Sequence, residues 1–181
     1  MIKVETKLKG CVLLEPTVFE DNRGYFFESF NQDKFNKIVG LNVNFVQDNE
    51  SFSTKGVLRG LHYQTGDFAQ AKLVRVIKGS VLDVAVDLRK NSSTFGEHVS
   101  VELSEDNKKQ FFVPRGFAHG FVVLSETAIF SYKCDNYYHK PSEGGLIYDD
   151  STLNIDWHLP EKSLIVSEKD VVLPTLENAK L

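Results

Sequence analysis

Residues 56–64 read Gly-Val-Leu-Arg-Gly-Leu-His-Tyr-Gln, and residues 112–121 read Phe-Val-Pro-Arg-Gly-Phe-Ala-His-Gly-Phe. Each is a short run of β-formers that carries an arginine, a glycine and a histidine with apolar neighbours. That composition belongs to a strand rather than a helix. Comparable runs recur between turn signals at Asp21-Asn22-Arg23-Gly24, Thr54-Lys55-Gly56, Lys78-Gly79-Ser80, Lys90-Asn91-Ser92-Ser93, Glu105-Asp106-Asn107 and Pro114-Arg115-Gly116. Short strands at that spacing predict a sandwich or barrel. The 14 Phe and 6 Tyr, against a single Met, point the same way. Helix is expected only from Asn31 to Val39, with Asn31 as N-cap, and as a turn near Ser167 to Asp170. The tail after Pro160 is expected to pack over the barrel.

The 181 residues contain no repeat, linker or low-complexity tract, which predicts one domain spanning 1–181. Net charge is 21 − 25 = −4, which argues against nucleic acid as a partner. Any anionic ligand must therefore meet a local basic cluster. The N-terminus has no apolar leader, and no apolar run approaches the roughly 18 residues of a membrane span. Two cysteines, Cys11 and Cys134, are too few for a disulfide framework. The expectation is a cytoplasmic protein that does not engage a membrane.

Strand parity adds a prediction about direction. Alternate residues of a strand share a face. Lys72 then lies with Val74 and Val76, Tyr132 with Ala128, Phe130 and Cys134, and His119 with Phe117, Phe121 and Val123. His62 lies with Leu58. All four titratable groups fall on apolar-biased faces, which in a barrel are interior faces. Interior lysine is rare without a partner. Four such groups pointing inward describe a lined cavity.

Three chemistries fit that cavity. A metal could be held by His62, His119 and one carboxylate, since three protein ligands are the usual minimum for a catalytic site. His98, His139 and His158 have no ligand spacing and are expected to pack or to be solvated. Alternatively, His62 acts as a general base, its tautomer fixed by a carboxylate. Asp83 and Asp170 are both candidates for that role. Tyr132 would then supply a proton from another direction, and Lys72 would steady a developing oxyanion. Third, Arg23, Arg59, Arg115 and Lys169 sit in or beside turns where they could fork onto phosphate. Gln47 and Asn49 could hydrogen-bond the same ligand, and Tyr137 or Tyr138 could stack on a base. No Gly-rich nucleotide loop is present, so an ATPase or a dinucleotide-binding enzyme has no support.

Several segments taken together resemble one known family. They are Asp21-Asn22-Arg23-Gly24-Tyr25-Phe26-Phe27-Glu28-Ser29-Phe30, Gln47-Asp48-Asn49-Glu50-Ser51, Gly56 to Gln64 as quoted above, and Gln70-Ala71-Lys72-Leu73-Val74. Further along come Asp83-Val84-Ala85-Val86-Asp87-Leu88-Arg89, Val113-Pro114-Arg115-Gly116-Phe117-Ala118-His119-Gly120-Phe121 and Ser167-Glu168-Lys169-Asp170. In these the chain resembles the dTDP-4-dehydrorhamnose 3,5-epimerases, the RmlC type of the cupin superfamily. The first cupin half-motif here has one histidine, His62, where metal-binding cupins carry a His-x-His. Thr65-Gly66-Asp67-Phe68 replaces a proline-containing stretch, and Tyr148-Asp149-Asp150 replaces a Trp-Asn-Asp type string.

The resemblance implies an all-β, cupin-type β-jelly roll with a few short peripheral helices, working as a homodimer without metal or cofactor. It implies inversion of C3 and C5 of dTDP-4-dehydro-6-deoxy-D-glucose to give dTDP-4-dehydro-L-rhamnose. His62 would be the base, Tyr132 the acid on the opposite face of the sugar, Asp170 the partner of His62, and Lys72 a neighbour of the C4 oxygen. Arg23, Glu28, Gln47, Asn49, Arg59, His119, Glu143 and Lys169 would contact the nucleotide-sugar, and Tyr138 would stack on thymine. Competing readings are a single-carbon epimerase on a related nucleotide-activated 4-keto sugar, a metal-dependent cupin, and a non-catalytic sugar-binding cupin.

Overall fold

A computed structural model describes residues 1–181. In chain order the strands are β1 (Ile2–Glu5), β2 (Val12–Glu15), β3 (Phe19–Asp21), β4 (Gly24–Phe26), β5 (Gln47–Thr54), β6 (Val57–Gln64) and β7 (Lys72–Lys78). They continue as β8 (Ser80–Asp87), β9 (His98–Ser104), β10 (Gln110–Val113), β11 (Phe117–Val123), β12 (Thr127–Cys134), β13 (Glu143–Gly145) and β14 (Ile165–Val166). One sheet runs β1-β2-β10-β7-β12-β5 and the other β13-β6-β11-β8-β9, with β14 added parallel to β6. The β3–β4 hairpin stands apart. This is the expected all-β jelly roll. Its one α-helix, α1 (Gln32–Val39), is joined by short 3₁₀ turns. No helix is long and apolar enough to cross a membrane.

Three apolar layers follow from strand alternation. The inner faces of the two sheets meet through Val74, Val76, Phe111, Ala128 and Phe130 on one side and Val81, Ala85, Leu103, Phe117 and Phe121 on the other. Outside the second sheet, Leu61, Tyr63, Leu82, Val84 and Val86 pack under Leu146, Leu153, Trp157 and Leu176. The tail after Pro160 adds to this layer through Leu164, Val166, Leu176, Ala179 and Leu181, and so packs over the barrel as expected. Outside the first sheet, Phe35 of α1 is buried against Val12, Leu14, Leu73 and Phe112. Eight residues are too few for a helix to persist alone. Burial of Phe35, together with the Asn31 side chain that caps the Lys34 amide, holds α1 in place.

One parity expectation fails, for an informative reason. Leu58 packs in the outer layer with Leu61 and Tyr63, not on the face of His62. Across the β6–β11 pair, His119 faces His62 but Phe121 faces Arg59, so β6 holds one residue more than β11. This bulge switches the alternation. Arg59 and His62 consequently share the inner side. The bulge occurs where two backbones nearly touch. A Cβ at Gly60 would lie 2.5 Å from the Gly120 Cα, and Gly60 has φ +132°, so glycine is required there. His62 points inward, but because of the bulge rather than because of Leu58.

Candidate active site

Between the sheets lies a cavity of about 480 Å³, lined among others by Arg59, His62, Lys72, His119, Tyr132 and Asp170. It shares His62, Lys72 and Tyr132 with a smaller cleft of about 300 Å³ that also presents Gln47, Asn49, Tyr138 and Glu143. His62 and His119 hang from β6 and β11 of the second sheet. Tyr132 and Lys72 rise from β12 and β7 of the first. The imidazole and the phenol therefore occupy opposite walls.

His62 Nε2 lies 2.7 Å from Asp170 Oδ1. Asp170 opens a 3₁₀ turn (Asp170–Val172), and its own amide donates to Ser167 Oγ at 3.1 Å. The expected turn near Ser167 is thus present and delivers a carboxylate from the far end of the chain. Burial acts to raise the Asp170 carboxyl. The hydrogen bond and charge of His62, with the Gly60 amide and Ser167, more than offset this and hold it below the ordinary carboxylate value. An ionised carboxylate only accepts, so Nε2 carries the proton. Nδ1 has no partner within the chain and keeps its lone pair for the cavity.

Tyr132 and Lys72 are likewise unengaged. Lys72 Nζ sits 5.9 Å from the centre of the Tyr132 ring. Burial raises the Tyr132 phenol, aided by Cys134 and opposed by Arg59, so it stays protonated near neutrality. Burial lowers the Lys72 ammonium, opposed by Cys134, Asp83 and Glu143. A desolvated cation on one wall is worth far more to a nearby oxyanion than it would be in water.

Asp83, the other candidate partner of His62, instead holds His119. His119 Nε2 lies 2.9 and 3.0 Å from its two oxygens. Both residues are buried. The two histidines are register partners, yet each has its own carboxylate. No group of three or more His, Cys, Asp or Glu side chains is arranged to hold a metal. The set His62, His119 and a shared carboxylate is therefore not assembled.

Of the expected ligand contacts, Gln47, Asn49, Tyr138 and Glu143 line the smaller cleft, and Arg59, His119 and Lys169 line the larger cavity. Glu143 takes a 2.7 Å ion pair from Lys169 and a 3.1 Å hydrogen bond from the Tyr138 hydroxyl. Gln47 Nε2 donates to Asn49 Oδ1 at 3.1 Å, and Arg59 Nε donates to Ser53 Oγ at 3.1 Å. Three candidates lie elsewhere. Arg23 is exposed on the β3–β4 turn and pairs with Asp21 at 2.6 Å. Glu28 pairs with Lys34 at 2.8 Å beside α1. Arg115 pairs with Asp135 in a separate groove lined by Leu41, Val43 and Phe112. These three do not reach the cavity of their own chain. His139 stacks on Phe68, and His158 is exposed, as expected of packing or solvated residues.

Two polar residues of the larger cavity were not among the expected site residues. Ser167 was seen only as part of a turn. Ser51 lines the cavity, and its Oγ is the one buried side-chain polar atom without a partner in the protein. Its parity with Gln47 and Asn49 on β5 was the available signal.

Comparison with known proteins then bears on the whole chain. Residues 5–178 match the family model described as dTDP-4-dehydrorhamnose 3,5-epimerase. The Salmonella typhimurium protein named dTDP-4-dehydrorhamnose 3,5-epimerase is 52% identical over 184 aligned residues, covering 100% of this chain and 98% of that protein. The crystal structure of dTDP-4-dehydrorhamnose 3,5-epimerase from Elizabethkingia anophelis superposes with a TM-score of 0.94 at 61% identity, covering 97% of this chain and 96% of that one. An RmlC from Legionella pneumophila, solved with dTDP-4-keto-L-rhamnose, gives 0.94 at 48% identity, covering 97% and 93%.

Proposed function

From the premise that the chain belongs to the dTDP-4-dehydrorhamnose 3,5-epimerase family and carries out that reaction, we propose that His62, Tyr132, Lys72 and Asp170 perform the chemistry. The substrate is a dTDP-linked 4-keto-6-deoxy sugar, and the product is inverted at C5 and C3. The observation that carries the assignment is that three groups on two walls line the cavity without a hydrogen-bond partner in the protein: His62 Nδ1, the Tyr132 hydroxyl and Lys72 Nζ.

A hydrogen on carbon next to a ketone is weakly acidic. His62 Nδ1 takes it from one side of the ring, and the C–H electrons move onto the C4 oxygen as an enolate. Lys72 stabilises that oxygen as charge develops, an effect worth about 3–4 kcal/mol where one such donor is removed. Asp170 stabilises the imidazolium. Tyr132 then gives its proton to the same carbon from the opposite side. The resulting phenolate and imidazolium exchange protons with solvent before the second carbon is processed. The 4-keto group supplies the acidity at both centres.

The nucleoside end of the substrate is assigned to the smaller cleft, with Tyr138 against the base and Gln47, Asn49 and Glu143 beside it, while Arg59, His119 and Lys169 of the adjoining cavity meet the phosphates and sugar. Arg23 and Glu28 reach a cavity only if a second copy donates them. Their hairpin exposes Phe19, Tyr25 and Phe26, each more than half accessible, which supports a homodimer buried on that face. Two buried, unpaired cysteines support a reducing, cytoplasmic setting. The test of the acid–base assignment is Tyr132→Phe in D2O. It should still exchange a substrate proton for deuterium yet yield little inverted sugar. Normal inversion by that variant would remove Tyr132 as the acid.

A further inference from the structure

Gln64 ends β6, two residues beyond His62, and is buried. Both N–H donors and the carbonyl oxygen of its amide are bonded to two loops. Nε2 donates to the Phe68 carbonyl at 2.7 Å and to the Tyr137 carbonyl at 3.2 Å. Oε1 accepts from the His139 amide at 2.6 Å. One side chain thus bonds the backbone on both sides of Tyr138 and ties it to the 66–68 turn. The adjoining contacts reinforce that tie. The Tyr138 amide donates to Gln47 Oε1 at 3.1 Å, Asn136 Nδ2 donates to the Asp67 carbonyl at 2.8 Å, and the Phe68 and His139 rings stack at 3.7 Å. The Tyr138 ring itself is exposed at the cleft.

We infer that Gln64 is a positioning residue for the nucleoside end of the substrate: it fixes the Tyr137–His139 loop so that Tyr138 is held ready to receive the base. The inference rests on the reading that Tyr138 contacts the nucleoside. A loop ordered before binding costs the ligand nothing to arrange. If the competent arrangement falls to about one part in ten, apparent affinity falls about tenfold. His62, Lys72 and Tyr132 depend on other contacts, so the chemical step should be largely spared.

The test compares Gln64→Leu, Gln64→Glu and Tyr138→Ala in the full chain. The readouts are calorimetric binding of dTDP, steady-state kinetics with the 4-keto sugar nucleotide, and thermal melting. Gln64→Glu keeps the acceptor for the His139 amide but cannot donate to the two carbonyls. Both Gln64 variants should weaken dTDP binding and raise KM together, by about tenfold, while kcat moves less than about threefold. The inference is overturned if dTDP binding is unchanged in both, if kcat falls without a change in affinity, or if neither variant folds. Unchanged dTDP binding by Tyr138→Ala would instead remove the nucleoside reading on which the inference depends.

Discussion

The chain builds the same pair twice, at two depths. His62–Asp170 and His119–Asp83 both join an imidazole Nε2 to a carboxylate, at 2.7 and 2.9 Å, from facing positions on adjacent strands. The His62 side chain is 31% exposed and its carboxylate comes from a turn in the C-terminal tail. The His119 side chain is 7% exposed and Asp83 is fully buried on β8, the strand next to β11. Burial raises the Asp83 carboxyl against the opposing pull of His119 and Lys72. Asp170, with amide and hydroxyl help, is held low. Depth, rather than residue type, separates a pair that can exchange protons with a ligand from one that fixes a wall of the site.

The largest contrast should be in turnover. His62→Ala is expected to lower kcat by at least 10²–10⁴-fold, about 3–5 kcal/mol of barrier. His119→Ala should mainly raise KM and lower stability, by about 3 kcal/mol, because it leaves a buried carboxylate alone. Steady-state kinetics and urea unfolding measure both, and equal losses of kcat would erase the distinction.

The carboxylates sharpen it. Asp170→Asn should cost on the order of 10²-fold in kcat with a small change in melting temperature, since the imidazolium loses its counter-charge. Asp83→Asn should do the reverse, destabilising by about 1–3 kcal/mol with a smaller effect on kcat.

The pairs should also titrate stability in opposite senses. Asp170 is depressed in the folded state, so its contribution is present above the ordinary value of 3.8 and is lost as pH falls toward its folded value. Asp83 is raised, so its contribution declines as pH climbs from 3.8 toward its folded value. Urea midpoints across acidic pH should therefore rise less steeply with pH in Asp170→Asn than in the wild type, and more steeply in Asp83→Asn.

The smallest effect belongs to Ser51. Its hydroxyl is buried with no partner to lose, so Ser51→Ala should not lower the unfolding free energy and should raise it slightly. A loss in a thermal melt would reveal a hydrogen bond that the fold does not display.

Much of this contrast was legible in the sequence. Alternation on β7, β11 and β12 placed Lys72, His119 and Tyr132 inward, because the extra residues at the two register shifts lie on β6 and at the far end of β7, outside the runs that carry these side chains. On β6 the same reasoning chose the wrong neighbour for His62, since Gly60 marks a bulge that a period of two cannot register. The division of Asp83 and Asp170 between two histidines was not legible either. It depends on tertiary proximity, across 36 residues in one case and 108 in the other. Arg23 and Glu28 matched the family motif, yet they lie outside the cavity. A motif fixes which residues recur together, not where the fold places them.

One measurement bears hardest on an imidazole and a phenol acting from opposite walls. Incubate the dTDP-4-keto-6-deoxy sugar with His62→Asn enzyme in D2O and follow C5 and C3 by NMR. Neither carbon should take up deuterium above the uncatalysed rate, although dTDP still binds. Deuterium entering either carbon at the wild-type rate would mean that another group removes the proton.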